Sequence, residues 1–270
     1  MAKRENIREK LEQEHKRDYL VVKENDFIQK ASYNLTAEQQ KLLAFVISKI
    51  KPTDKEFEQY TISALDFANL AGVDPKHAYR DFRAMVEALD AKATWIKIGD
   101  DTIRFRVFSE SEYNDKQGSI TVVLNSRLKK YLLEISHNYT AYELWNILSL
   151  KSKYSIRLYE IFKSYEYQHD KTFDYEELKS LLCAENYKVY SAFLVRVLNP
   201  ALNEINLLTN LNVTFEPIQK GKNHKTVAIR FLITKKKQLQ AYAAYVETAK
   251  RINKRNGEVP GQLSLFDPEF

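Results

Sequence analysis

Apolar residues recur along this chain in short blocks whose spacing switches between helical and extended periods. Thr36 stands as an N-cap with Gln39 three residues on, and Leu42, Leu43, Phe45, Val46 and Ile50 follow at helical spacing, which predicts a helix over 37–50. Pro52 ends it. Tyr60-Thr61-Ile62 reads as a minimal strand, and Ser63 caps a short helix that reaches Ala71 and stops at Gly72. Asp74 and Pro75 restart a helix as cap and first helical residue, placing Tyr79, Phe82, Val86 and Leu89 on one face and Lys76, Arg80 and Arg83 on another. Residues 94–98 and 103–108 alternate as a hairpin around a Gly-Asp-Asp turn, and 119–124 supply a third strand.

The same order then recurs. A helix is predicted over 154–168, a minimal strand at Thr172-Phe173, a short helix over 175–183 and a longer one over 188–208 with Phe193, Val197, Leu198, Ala201 and Ile205 toward the core. A hairpin of 213–216 and 227–231 closes the series. With strands starting at Tyr60 and Thr172 and wings at Thr94 and Leu211, the two units lie about 112 to 117 residues apart. Helix, short strand, helix, helix and hairpin is the plan of a winged helix-turn-helix, whose third helix reads the DNA groove. The expectation is an α+β fold of two tandem winged-helix domains, related by duplication in pattern and not in letter identity. The boundaries read as a charged arm over 1–18, a first domain over 19–150, a second and principal DNA reader over 151–237, a basic helix over 238–256 and a flexible tail over 257–270.

A length of 270 residues suits two compact domains, and composition narrows the chemistry. Cys183 is the single cysteine, so one chain can build neither a disulfide framework nor a cysteine-based zinc site, and a reducing cytoplasm is the simplest compartment. The histidines, at 15, 77, 137, 169 and 224, have no metal-ligand spacing, and the six glycines form no phosphate-cradling loop. No apolar run is long enough to span a membrane, and the first residues have no apolar signal core. No enzyme activity and no cofactor are expected. The 17 tyrosines raise the idea of a DNA-nicking nucleophile, but most fall at core spacing and no paired histidines stand ready to hold a metal.

The net charge of +6 is unevenly placed. Residues 216–256 hold 11 basic and 2 acidic side chains, leaving the remainder slightly acidic. A clustered positive field points to nucleic acid or an anionic membrane, and its place on a predicted wing favours DNA. In the second unit Lys188, Ser191, Arg196 and Asn199 surround the apolar stripe of the long helix. Arg and Asn suit guanine and adenine edges, whereas Lys and Ser hold phosphates; the plain alternative is the polar face of any amphipathic helix. Lys220, Lys222 and Lys225 crowd one hairpin tip, where a wing grips backbone phosphate. In the first unit Lys76, Arg80 and Arg83, with Arg104 and Arg106 near its wing, are weaker candidates, because Asp81 and Glu87 dilute that surface.

The runs Val21-Val22-Lys23-Glu24-Asn25, Tyr33-Asn34-Leu35-Thr36 with Glu38-Gln39-Gln40-Lys41-Leu42-Leu43, and Phe193-Leu194-Val195-Arg196-Val197-Leu198-Asn199-Pro200-Ala201 with Glu204-Ile205-Asn206 resemble the plasmid replication initiator (Rep) proteins of the iteron-binding, tandem winged-helix type. The likeness covers residues 19–237. It implies an initiator that binds direct repeats in double-stranded DNA as a monomer, opens the adjacent duplex without hydrolysing nucleotide, and as a dimer represses its own promoter. It also implies that the second unit is the stronger reader and the first mediates dimerisation. A repressor on the same scaffold would instead bind one inverted repeat.

Beyond a linker over 257–261, Gln262-Leu263-Ser264-Leu265-Phe266 is similar to the motif by which bacterial polymerases and repair proteins dock on the sliding clamp. Large apolar residues on a solvated tail call for a partner or for a fold-back onto the chain's own surface.

Overall fold

The computed structural model describes residues 19–51, 54–71, 75–91, 94–98, 101–135, 137–222 and 224–256. The charged arm over 1–18 and the clamp-like residues Gln262 to Phe266 lie outside them.

The chain opens with β1 (Leu20–Glu24), α1 (Asn25–Gln29) and β2 (Ala31–Ser32), and then α2 (Ala37–Ser48). Thr36 and Gln39 close a reciprocal capping box at the start of α2, as their spacing predicts. There follow β3 (Tyr60–Ser63), α3 (Ala64–Ala71), a 3-10 turn (Pro75–His77) and α4 (Ala78–Ala91), which buries Ala78, Phe82, Val86 and Leu89. Four strands come next: β4 (Thr94–Ile98), β5 (Asp101–Phe105), β6 (Phe108–Asn114) and β7 (Ser119–Leu124). The short α5 (Lys129–Leu132), β8 (Tyr139–Glu143) and α6 (Trp145–Leu148) lead into the second unit.

That unit comprises α7 (Lys153–Ser164), β9 (Asp170–Asp174), α8 (Tyr175–Leu181), α9 (Tyr190–Phe193), a π-helical turn (Leu194–Leu198), α10 (Asn199–Leu208), β10 (Leu211–Lys220) and β11 (Lys225–Lys235). The terminal α11 (Gln238–Asn256) follows.

Sheet order identifies the repeated module. In the second unit β9 pairs with β11, whose hairpin partner is β10. In the first unit β3 pairs with β7, whose hairpin partner is β6. The first wing is therefore β6–β7 and not the β4–β5 hairpin expected from the sequence. The latter forms a separate sheet with β2. The cause lies in the residues of β6, Phe-Ser-Glu-Ser-Glu-Tyr-Asn, an edge strand whose outward positions are polar and which reads as a loop. Tyr60 and Ile62 on β3 sit opposite Val122 and Ile120, all four buried, which fixes the register.

The units share one hydrophobic core running from Val21 through Phe82, Leu158 and Phe162 to Ile233. At their junction α7 packs on α1 and α2, and Arg157 donates from Nη2 to the carbonyls of Ile28 and Ala31 while lying over the Tyr33 ring. Beside it Lys23 meets Glu160, which also accepts from Tyr33 and Tyr142. The terminal α11 packs on α3, α6 and α10. Its Tyr245 meets Trp145 edge to face at 5.4 Å, and Thr248 donates to the Leu208 carbonyl at 3.2 Å.

Candidate nucleic-acid interface

The second unit presents a continuous helical run over residues 190–208. The turn before it is made by Cys183 in the left-handed region at φ 49, with Ala184 N–H donating to Lys179 and Cys183 N–H to Ser180. This Schellman-type ending of α8 usually employs glycine. Cys183 is half-buried, and burial pushes its thiol pKa up.

Halfway along, the run widens into the π turn, where Asn199 N–H donates to the Leu194 carbonyl five residues back. Pro200 supplies the reason. It has no N–H to offer the Arg196 carbonyl, and in a regular α-helix its ring would clash there. The wider turn absorbs that conflict. The helix buries Phe193, Val197, Leu198, Ala201, Leu202 and Ile205, while Ser191, Val195, Arg196, Asn199 and Asn203 face solvent.

The far end of the helix is tied to the wing. Asn206 Nδ2 donates to the Val213 carbonyl at 2.9 Å, and Val213 N–H donates to Asn206 Oδ1 at 2.7 Å. Lys236 donates from Nζ to the carbonyls of Asn206 and Thr209 at 2.6 and 2.7 Å, capping the C-terminus of α10. Burial pushes its pKa down, so this lysine of the basic stretch is a structural cap.

The wing itself is anchored by Phe231, whose ring lies 4.8 Å from that of Phe162, with Val213, Ile229 and Ile233 buried around it. From Glu216 onward β10 is exposed, so the hairpin projects beyond the core. A bulge falls between Ile218 and Gln219, and Gly221 turns the chain at φ 78. Lys220 and Lys225 stand directly opposite each other in the ladder, with Lys222 between them in the turn, and all three are exposed. Like charges in directly paired positions weaken a hairpin, so this tip gains from an anion. Among the described residues none forms an ion pair with Lys188, Arg196, Lys220, Lys222 or Lys225.

The first unit differs. Arg80 pairs with Asp81 at 2.9 Å. Arg83 bonds Glu87 at 2.8 Å and Asp115 at 2.9 Å, and lies 4.9 Å from the centre of the Tyr113 ring. Burial, with Asp90 and Glu87 nearby, pushes the Tyr113 phenol up to about 12. The wing β6–β7 exposes Glu110, Glu112 and Asp115 against Lys116. Lys76 sits exposed in the 3-10 turn. Arg104 belongs to β5 and Arg106 follows it, so both mark the β4–β5 hairpin and not the wing. Ser191, Arg196 and Asn199 are thus exposed along one helix with Lys188 just before it, and Lys220, Lys222 and Lys225 are exposed at the wing tip, whereas the first-unit candidates lie on separate elements and Arg80 and Arg83 are paired with carboxylates. Val195, next to Arg196 and off the apolar stripe, is exposed as well.

Among the described residues no group of three His, Cys, Asp or Glu side chains is arranged to hold a metal, and no helix is long and apolar enough to cross a membrane. Two family models match this chain. One, the initiator replication protein WH1 domain, spans residues 20–163, and the other, the initiator Rep protein WH2 domain, spans 174–233. The chain belongs to the replication initiator family. Its two units are accordingly the WH1 and WH2 winged-helix domains of a replication initiator. The first model runs through α7, the helix that packs into the first unit. Among solved structures, the chain is similar to the Pi initiator protein in complex with iteron DNA, at 18% identity and a TM-score of 0.62, over 80% of this chain and 97% of that one. The terminal α11 begins after the WH2 match ends.

Proposed function

We propose that this initiator binds direct repeats in double-stranded DNA at a plasmid origin through its WH2 domain. The reading helix over 190–208 enters the major groove, Arg196 and Asn199 face base edges, and Lys188 and Ser191 hold phosphates. Lys220, Lys222 and Lys225 grip the neighbouring backbone. The observation that carries this is the unneutralised pairing of Lys220 with Lys225 at the tip of a projecting wing. The shared fold with the Pi initiator, whose crystal structure holds iteron DNA, supports the same reading.

WH1 plays the lesser part on DNA, because its wing is acidic and Arg83 is held by two carboxylates. Lys76, Arg80, Arg104 and Arg106 contribute phosphate contacts at most, and WH1 supports dimerisation in a monomer–dimer equilibrium. Binding at several repeats, with bending, opens the adjacent duplex without nucleotide hydrolysis, in the cytoplasm and without a cofactor. As a dimer the protein represses its own promoter. Gln262, Leu263, Ser264, Leu265 and Phe266 recruit the bacterial sliding clamp or a clamp-bound polymerase. Changing Leu265 and Phe266 to Ala should abolish clamp capture in a pull-down, and unaltered capture would remove that element.

Footprinting on the DNA flanking its own gene tests the main reading. Evenly spaced direct repeats support an initiator, whereas a single palindrome without tandem sites would identify a repressor.

A further inference from the structure

Val195 is 64% exposed in the middle of the helix assigned to the major groove. It belongs to an outward strip at four-residue spacing, Ser191, Val195, Asn199 and Asn203, all exposed, and all polar but for Val195. In an unbroken α-helix such a strip drifts around the axis by about 40° per step. The π turn over Leu194–Leu198 rotates less per residue and pulls the strip back, so Val195 shares the outward face with its polar neighbours. Leu194, by contrast, packs against the core, and Val195 does not.

A β-branched apolar side chain at this place gains nothing from water and adds nothing to the helix. Ser191 and Asn199, one turn before and after it, and Arg196 beside it are polar and exposed, which interrupts any apolar patch along the helix for a protein partner. The positive charges of Lys188, Arg196 and the Lys220–Lys225 wing tip point instead to a polyanion. The apolar feature that a major groove offers is the C5-methyl of thymine. We propose that Val195 is a specificity-determining residue that packs against one thymine methyl in the recognised repeat. Its stiff χ1 presents the two methyl groups at little cost in side-chain entropy. The proposal rests on the WH2 reading above and adds a base preference to it.

The test begins with duplexes selected from a random pool by the full-length protein. Each thymine of the selected site is then replaced in turn by uracil, which removes only the methyl, and affinities are measured for the wild type and for Val195→Ala. At one position the wild type should lose about three- to tenfold in affinity, the amount expected for one buried methyl-sized contact. Val195→Ala should bind the thymine duplex correspondingly more weakly and be indifferent to uracil there. Equal uracil sensitivity of both proteins at every position would overturn the proposal while leaving DNA reading by WH2 intact. Failure to select any site would overturn both. Because Val195 is exposed, an unchanged thermal midpoint is the expected control for Val195→Ala.

Discussion

Lys23 on β1 and Glu160 on α7 form an ion pair with side chains only 3% and 2% exposed, 137 residues apart in sequence. It lies where the first helix of the second winged-helix unit enters the first. Burial by itself would raise the Glu160 pKa, but the Lys23 and Arg157 charges, with hydrogen bonds from Lys23 and Tyr142, outweigh it and hold the carboxyl below its usual range. Removing one partner leaves the other charge buried and under-compensated. Lys23→Ala should therefore cost about 3–5 kcal/mol in urea denaturation.

The pair also sets a pH dependence. Glu160 has a lower pKa folded than unfolded, so its contribution is complete above the unfolded value of about 4.3 and is lost as pH falls through the folded one. At pH 7, Glu160→Gln should be less stable than the wild type. The two urea midpoints should converge as the pH is lowered below about 4. A constant gap from pH 7 to pH 3 would contradict this account.

Asn206 bonds both backbone groups of Val213 and so stands in for a strand neighbour between α10 and the wing. Asn206→Ala should lower stability by about 1–3 kcal/mol, as expected when hydrogen-bonding groups lose their partner. Hydrogen exchange at the Val213 amide should accelerate more than at the buried strand positions Ile229 and Phe231.

Arg196 and Arg83 occupy the third helices of the two units yet differ in their surroundings. Arg83 is already bound to Glu87 and Asp115, whereas Arg196 has no ion pair among the described residues. On one repeat duplex, Arg196→Gln should weaken binding roughly 5- to 150-fold, the range for a lost base contact. Arg83→Gln should cost less than about threefold, because its charge is largely answered within the protein. Fluorescence anisotropy measures both.

Much of the second unit could be read from its residues. Phe193, Val197, Leu198, Ala201 and Ile205 marked the helix, and Lys220 to Lys225 marked the wing, because apolar period and clustered charge are local signals. The π turn had a local cause too, Asn199-Pro200 inside a long apolar helix, but its effect on which side chains face outward needs coordinates. The first wing escaped because β6 is an edge strand with polar outward positions and no apolar alternation to display. Lys236 belongs by sequence only to a basic run, and its role as a helix cap depends on carbonyls of Asn206 and Thr209 that only the fold brings to it. Glu160 sits in an α7 that is buried on nearly every side, and its partner Lys23 lies in an apolar strand far upstream. Each charge interrupts an apolar run, which marks both as unusual; their meeting is a tertiary fact.

In the proposed complex the WH2 wing holds DNA through phosphate contacts from Lys220, Lys222 and Lys225. The most direct measurement is the salt dependence of affinity for the wild type and for a variant with all three lysines changed to Gln. Each lost contact removes about 0.9 from the slope of log K against log salt, so the variant should bind every duplex more weakly with a slope flatter by about two to three units. An unchanged slope with unchanged affinity would contradict the account.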